Sequence, residues 1–231
     1  MLLRDKDLAV IGKYVPVELS EESLVSAAVA VVLRDGEQGT EFLLMQRARH
    51  DNDPWSGQMS FPGGKIDPQD NSAKAAAVRE AYEEVGVSLT EEEYLGQLDD
   101  IYGFKVDGVY SVLVSSFVFK VNRDPELVAN HEVADLVWLP ISYLDNPDNA
   151  YSHSDPRNPS LKMPAVMINQ DKEQILWGLT LRMLSRLYQL LNIPMTTLSK
   201  DQRQELVDIQ RRGITSQQLN GLRNNTVRAT A

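Results

Sequence analysis

Residues 24–33, "LVSAAVAVVL", form a near-unbroken apolar run rich in β-branched side chains. The run predicts a buried strand, with a short helix before it near the N-terminus. "RDGEQGT" reads as a turn, and "EFLLMQRA" (41–48) as the next strand. Residues 49–60 are polar and hold Pro54 and Gly57, and "FPGGKIDPQDNS" (61–72) is rich in breakers; both predict loops. A helix is expected over 73–85, with Ser72 as N-cap and Gly86 just past its end. Strands follow near 94–103, 109–121 and 132–140, the last ended by Pro140, with the short helix "ISYLD" after it. The Asn, Asp, Ser and Pro content of 145–160 predicts loop, "KMPAVMI" (162–168) a further strand, and the helical spacing of apolar residues over 173–191 the longest helix. Residues 195–231 lose hydrophobicity and read as one or two weak helices or a mobile tail. Strands mixed with helices give an α/β or α+β layered fold, with one domain over 1–193 and a tail over 194–231.

Composition excludes more than it assigns. The net charge is −10 over 231 residues, and no basic stripe is present, so a nucleic-acid partner is not expected. An anionic substrate would then need a metal or local arginines to hold it. With no cysteine, thiolate metal sites, disulfides and cysteine nucleophiles are ruled out. The three histidines, His50, His131 and His153, are too scattered for a histidine-rich metal site. No window resembles a signal peptide or a membrane span, so no membrane partner and a soluble, cytoplasmic protein are expected.

The helix over 73–85 carries the first chemical signal. On a wheel at ~100° per residue, Val78, Ala81, Tyr82 and Val85 share one stripe, while Arg79, Glu80, Glu83 and Glu84 lie opposite, on a face that is exposed or lines a cleft. Arg79 and Glu83 are spaced to attract; Glu80 and Glu84, also four apart, repel by ~0.2–0.5 kcal/mol. Acids in the last turn further oppose the helix dipole by ~0.3–1 kcal/mol each. Local rules failing together in one segment point to function. A divalent cation would relieve the crowding, and two carboxylates one turn apart suit a hard ion such as Mg²⁺. Directly upstream, Gly63 and Gly64 let backbone approach a ligand and can offer carbonyls or N–H groups.

Gly64, five residues, Asp70, eight residues and then "REAYEEVGV" resembles the Nudix box. Arg79, Glu80, Ala81, Glu83, Glu84, Gly86 and Val87 match it; Asp70 stands for the usual first glutamate, and the spacer after it is one residue longer. Both departures resemble the coenzyme A diphosphatase subgroup of that family. "LLMQRA" (43–48), Gly57 three residues before "FPGG", and "ILWGLT" (175–180) are similar to that subgroup's other signatures. Met45 replaces a threonine, the pattern's second arginine is replaced near Asn52 or Asp53, and the Arg47–Gly57 interval is one residue too long.

The resemblance implies a Nudix-type α/β/α sandwich with a mixed central sheet. It implies metal-dependent hydrolysis of a diphosphate in a nucleotide-linked small molecule, with Mg²⁺ or Mn²⁺ as cofactor. Glu80 and Glu84 would be metal ligands, Glu83 a ligand to a second ion or acting through water, and Gly63 a carbonyl ligand. Glu83, Glu84 or a distant carboxylate would take the proton of the attacking water, with Glu132 the named candidate and Asp99 and Asp100 behind it. Arg47, Arg49 and Lys65 would meet phosphate, and Gly64, Asp70, Arg79 and Gly86 would be structural. Trp55 could stack on a base; Trp138 and Trp177 read as core. Coenzyme A or an acyl-CoA is the first substrate expected, ADP-ribose or another nucleotide diphosphate derivative the next. A non-catalytic Nudix binding module is the reading from another class. The tail could mediate a homodimer.

Overall fold

The computed structural model describes residues 1–19, 25–51, 53, 55–103, 105–106, 109–110, 112–155 and 158–211. Leu24, Asn52, Pro54 and 212–231, on which parts of the expectations above fall, lie outside these residues. Chain order is α1 (Asp5–Lys13), β1 (Ser26–Gly36), β2 (Gly39–Arg47), β3 (Met59–Ser60), β4 (Gly63–Lys65), α2 (Ala73–Val85), β5 (Tyr94–Gln97), β6 (Ile101–Tyr102), β7 (Lys105–Val106), β8 (Val109–Tyr110), β9 (Leu113–Lys120), β10 (Val133–Pro140), β11 (Ala150–Asp155), β12 (Asn158–Asn169), β13 (Gln174–Trp177), α3 (Gly178–Leu190) and α4 (Lys200–Arg211).

The main sheet runs β10-β2-β1-β9-β5, parallel between β1 and β9 and antiparallel elsewhere. It is therefore the mixed sheet expected. Alternation along β1 and β2 explains why their sequences are apolar without a break. Val31, Leu33, Phe42 and Leu44 face a core completed by α1, α3 and α4. Ala28, Ala30, Val32, Leu43 and Met45 face the other way, toward α2. With both faces covered, neither set of positions can be polar. Among the described residues no helix is long and apolar enough to cross a membrane.

β1 and β2 pair with each other only from Leu33↔Phe42 to Gly36↔Gly39. Beyond that they splay, and the segment Met59–Lys65 fills the split: β3 lies on β2 through Met45↔Ser60, and β4 lies on β1 through Val29↔Gly63. The "FPGG" stretch is thus held on both sides by sheet. α2 packs beside it, capped by Ser72, whose Oγ accepts the Ala75 N–H at 3.1 Å, and ended by Gly86 at φ 75°. Both helix boundaries fall where the sequence put them.

Three expectations are corrected. Residues 145–160 are not all loop: β11 pairs with β12 from Ala150↔Val166 to Asp155↔Asn158. This is an edge strand with exposed residues such as Tyr151, so turn-type polar residues are tolerated there. The helix expected from 173 begins only at Gly178, since Gln174–Trp177 forms β13 on β12, and Gly178 at φ 62° makes the change of direction. A short apolar run fits either element, and spacing alone could not choose. Third, Tyr82 is not core: it is 62% exposed, and α2 buries Ala76, Ala77, Ala81, Glu84 and Val85 instead. Small alanines set against Ala28 and Ala30 let the helix lie close to the sheet, which rotates its buried stripe away from the tyrosine. Past α3, Met195, Leu198 and Leu206 are buried in the same core as α3.

Candidate active site

A cleft of about 770 Å³ opens at the split between β1 and β2. Glu80, Glu83 and Glu84 of α2, Gly63, Gly64 and Lys65 of β4, and Arg47 and Glu132 all line it. Residues distant in sequence meet there because β3 and β4 carry "FPGGK" under the side chains of α2. Arg49 is not among the lining residues; it is 72% exposed and pairs with Glu173 at 2.5 Å. Asp99 and Asp100 lie elsewhere too. Asp99 accepts from the Val17 N–H and from Arg186 Nε at 2.7 Å, and Asp100 from the Leu19 N–H, so both fasten the N-terminal segment.

Arg79 is the hub of the acidic helix. It holds Asp70 with two bonds (Nε–Oδ1 3.0 Å, Nη2–Oδ2 2.9 Å), Glu80 at 2.9 Å, Glu83 at 3.1 Å and the Lys65 carbonyl at 3.1 Å. Its ties to Asp70 hold the Asp70 carboxyl below the usual carboxylate range. The attraction expected between Arg79 and Glu83 is present, and Arg79 reaches further partners besides. One planar fork reaches several acceptors at once. The residue at the box's first acidic position, Asp70, is thereby bound to the same arginine that holds Glu80 and Glu83.

Glu84 departs most from the surface role its wheel position suggested. It is 2% exposed, and its Oε2 accepts the Gly63 N–H at 2.7 Å. Burial, with Glu80 and Glu132 nearby, pushes its carboxyl up to about 8 despite the Gly63 bond and the Arg47 guanidinium, whose Nη1 is 4.0 Å away. Glu80 is raised for the same first reason, burial, with Arg79 opposing. Two adjacent carboxylates held in conditions that disfavour their charge are a recognised mark of a functional site.

The glycines are required by these contacts. Gly63 sits at φ 154°, and a Cβ there would lie 2.3 Å from the Ala28 carbonyl oxygen. A Cβ on Gly64 would lie 2.6 Å from Glu80 Oε1. Because that obstacle is the mobile end of a side chain, Gly64→Ala should fold with a midpoint near wild type yet turn Glu80 aside. Turnover is expected to fall ~10–100-fold, the usual effect of disturbing the support of a metal ligand; paired thermal melts and kcat/KM measurements check it.

The donor set suits a hard divalent ion. All the candidate ligands are oxygens, from the carboxylates and the Gly63 carbonyl, and the missing Cβ of Gly64 leaves Glu80 its room. Among the described residues no three acidic or histidine side chains already converge as a cage. Arg79 draws Glu80 and Glu83 to itself, while Glu84 is held by Gly63. Mg²⁺ is ordinarily held by one or two carboxylates, its remaining places taken by water and substrate phosphate, so no closed cage is needed. Charge argues the same way: Asp53, Asp67, Glu80, Glu83, Glu84 and Glu132 line the cleft against Arg47, Lys65 and Arg79. An anion enters such a cleft only if something inverts its sign.

Other parts of the cleft carried little signal in the sequence. Its far wall is apolar, with Val29, Val114, Leu179 and Met183 beside Trp177. Trp177 is buried as expected but also lines the cleft, and its ring lies 4.4 Å from that of His153. Trp55 lines the cleft as well, and Trp138 stacks under Arg34 at 4.1 Å. Asp53 was visible only as a departure from a pattern. In the structure it takes both Nε and Nη2 of Arg47, at 3.0 and 2.8 Å.

Residues 24–159 match the family model of the NUDIX domain. Over 150 residues the chain is 33% identical to a protein of Yersinia enterocolitica described as the uncharacterised Nudix hydrolase NudL, the match taking in 60% of this chain and 68% of that one. A probable nudix hydrolase of Schizosaccharomyces pombe is 30% identical over 165 residues, 71% of this chain and 55% of its own length. Among solved structures, a MutT/nudix family protein from Enterococcus faecalis is 26% identical with a TM-score of 0.43, covering 52% of this chain and 46% of that one.

Proposed function

The chain belongs to the Nudix family, and from that membership we propose that it hydrolyses the diphosphate bond of a nucleoside-diphosphate-linked small molecule with the help of Mg²⁺ or Mn²⁺. The observation that carries the reading is the buried Glu84 carboxylate, set against the Gly63 N–H with Glu80 and Glu132 beside it.

Glu80 and Glu84 would hold the ion, with the Gly63 carbonyl as a further donor and Glu83 at the rim. When bound, the ion neutralises phosphate charge and acidifies water. The chain's own residues orient and position. Arg79 fixes the direction from which Glu80 and Glu83 reach into the cleft. Arg47 and Lys65, which line the cleft, would meet the entering phosphates, where charge-assisted bonds are strongest. The Glu132 carboxylate, exposed on the cleft wall, is the acceptor assigned for the proton of the attacking water. No side chain need become covalently attached, because positioning and charge neutralisation supply most of the rate in phosphoryl transfer.

The first substrate is coenzyme A or an acyl-CoA, on the similarity of "FPGGKIDPQD", "LLMQRA" and "ILWGLT" to that subgroup. ADP-ribose is the alternative. Incubation with each in the presence of Mn²⁺, with products separated by chromatography, distinguishes them. Coenzyme A should give 3′,5′-ADP and phosphopantetheine, and EDTA should stop the reaction. Turnover of ADP-ribose with coenzyme A untouched would refute the first substrate and leave the reaction class standing.

A further inference from the structure

The two faces of β1 are covered unequally. Ala28 and Ala30, which face α2, have no exposed surface at all. Ala27 and Val29, which face the other way, are only partly buried and line the cleft. Val114 of β9 lies opposite Ala27 in the register and lines it too. Leu179 and Met183, one turn apart on α3, complete this wall. The core between sheet and α3 is thus left uncovered where it meets the cleft. Apolar surface open inside a concave site favours an apolar group of a ligand over water.

This wall begins beside the residues assigned to the ion. β4 pairs with β1 through Val29↔Gly63, and a Cβ built on Gly63 would lie 2.8 Å from Val29 Cγ1. The N–H of the same Gly63 holds Glu84. A group that covers Val29 is therefore joined close to the diphosphate rather than at the far end of the substrate. Thr180, next to Leu179 on the helix, spends its hydroxyl proton on the Met59 carbonyl at 3.0 Å. A sugar placed here would give up water at its hydroxyls against valine and leucine, which offer no bond in return.

We infer that Val29 and Leu179 are specificity-determining residues whose wall takes a branched aliphatic group joined directly to the diphosphate, so that a diphosphate carrying a second sugar in that place is the poorer substrate. Coenzyme A has the required chemistry: one carbon beyond its diphosphate, the pantoyl unit bears two methyl groups on a single carbon. ADP-ribose has a ribose there. The inference rests on the diphosphatase reading above and separates its two named substrates by the shape and polarity of the cleft, independently of motif similarity.

The test compares coenzyme A with its analogue in which both pantoyl methyls are replaced by hydrogen, and with ADP-ribose, using the full chain and Mn²⁺. Burying a methyl is worth up to about fourfold, so kcat/KM for coenzyme A should exceed that for the analogue roughly tenfold, chiefly through KM. Val29→Thr keeps the shape of the side chain and makes it polar, and Leu179→Ala thins the wall from the other side. Each should shrink the ratio between coenzyme A and the analogue to roughly threefold or less, by raising KM for coenzyme A. Equal use of coenzyme A and the analogue by the wild type, or a preference for ADP-ribose, would overturn the inference and leave the reaction class standing. So would variants that lose activity equally on both members, which is what a merely structural role predicts. No turnover of any of the three by the wild type would overturn the diphosphatase reading, and this inference with it.

Discussion

Glu84→Gln is expected to lower kcat/KM by more than about 100-fold, beyond the usual loss from disturbing a ligand's surroundings, while making the metal-free protein more stable. Both effects come from the same carboxylate. Its burial disfavours charge, and Glu80 and Glu132 add to the penalty that the Gly63 N–H and Arg47 only partly offset. A neutral amide of the same shape keeps the bond to the Gly63 N–H and sheds the charge. The pH dependence follows with a definite sign. A carboxyl whose folded value, about 8, lies above its unfolded value contributes stability at low pH and loses that contribution as pH rises toward and through about 8. In EDTA, the gap between Glu84→Gln and wild type should therefore widen from pH 5 to pH 9. A gain of about 1 kcal/mol would appear as ~2–4 °C in the midpoint for a chain of this size. Saturating Mn²⁺ should narrow or reverse the gap, because only the wild type gains full binding energy from the ion. A variant that is active, or that is less stable than wild type in EDTA at pH 9, would contradict the placement of Glu84.

Arg79→Ala is expected to damage both fold and activity. Removing it leaves Asp70, at the end of the "GKIDPQD" loop, without its two-bonded partner, and it leaves Glu80 and Glu83 with no shared cation. The thermal midpoint should fall by several degrees, and kcat/KM by ~10–100-fold at the low end, the range for residues that orient metal ligands. Arg79→Lys should not restore function. An ammonium is a point charge without the planar fork that reaches Asp70, Glu80 and the Lys65 carbonyl together. Full recovery with lysine would show that charge alone matters there and that the fork does not. Circular-dichroism melts beside steady-state rates separate the two losses.

The amino-acid sequence carried much of this local architecture. Ser72, Gly86 and the alanine-rich run between them set α2 to its residue limits, because capping and helix propensity act over a few neighbouring positions. The glycine pair followed by an acidic helix named the chemistry, and the Nudix resemblance that those residues carry agrees with the family match over 24–159. The strands buried on two faces were legible for the same reason: continuous β-branched runs leave no polar face to misread. Where the sequence misled, a longer-range contact had decided the matter. Turn-type residues at 150–155 became a strand because β12 was there to pair with, and Gln174–Trp177 left the helix for the same sheet.

The site divides along the same line. Sequence alone determined which acids stand on α2 and which glycines precede them, and it raised the expectation of a cation among them. Only the tertiary structure decided that Glu84 is buried and Tyr82 exposed, that Arg79 joins three carboxylates and the Lys65 carbonyl, and that Asp53 occupies Arg47. The physical reason is that caps, spacing and helical repulsion are short-range and travel with the sequence. Burial, desolvation and the choice of ion-pair partner depend on which segments the split between β1 and β2 brings face to face, and no stretch of chain contains that information by itself.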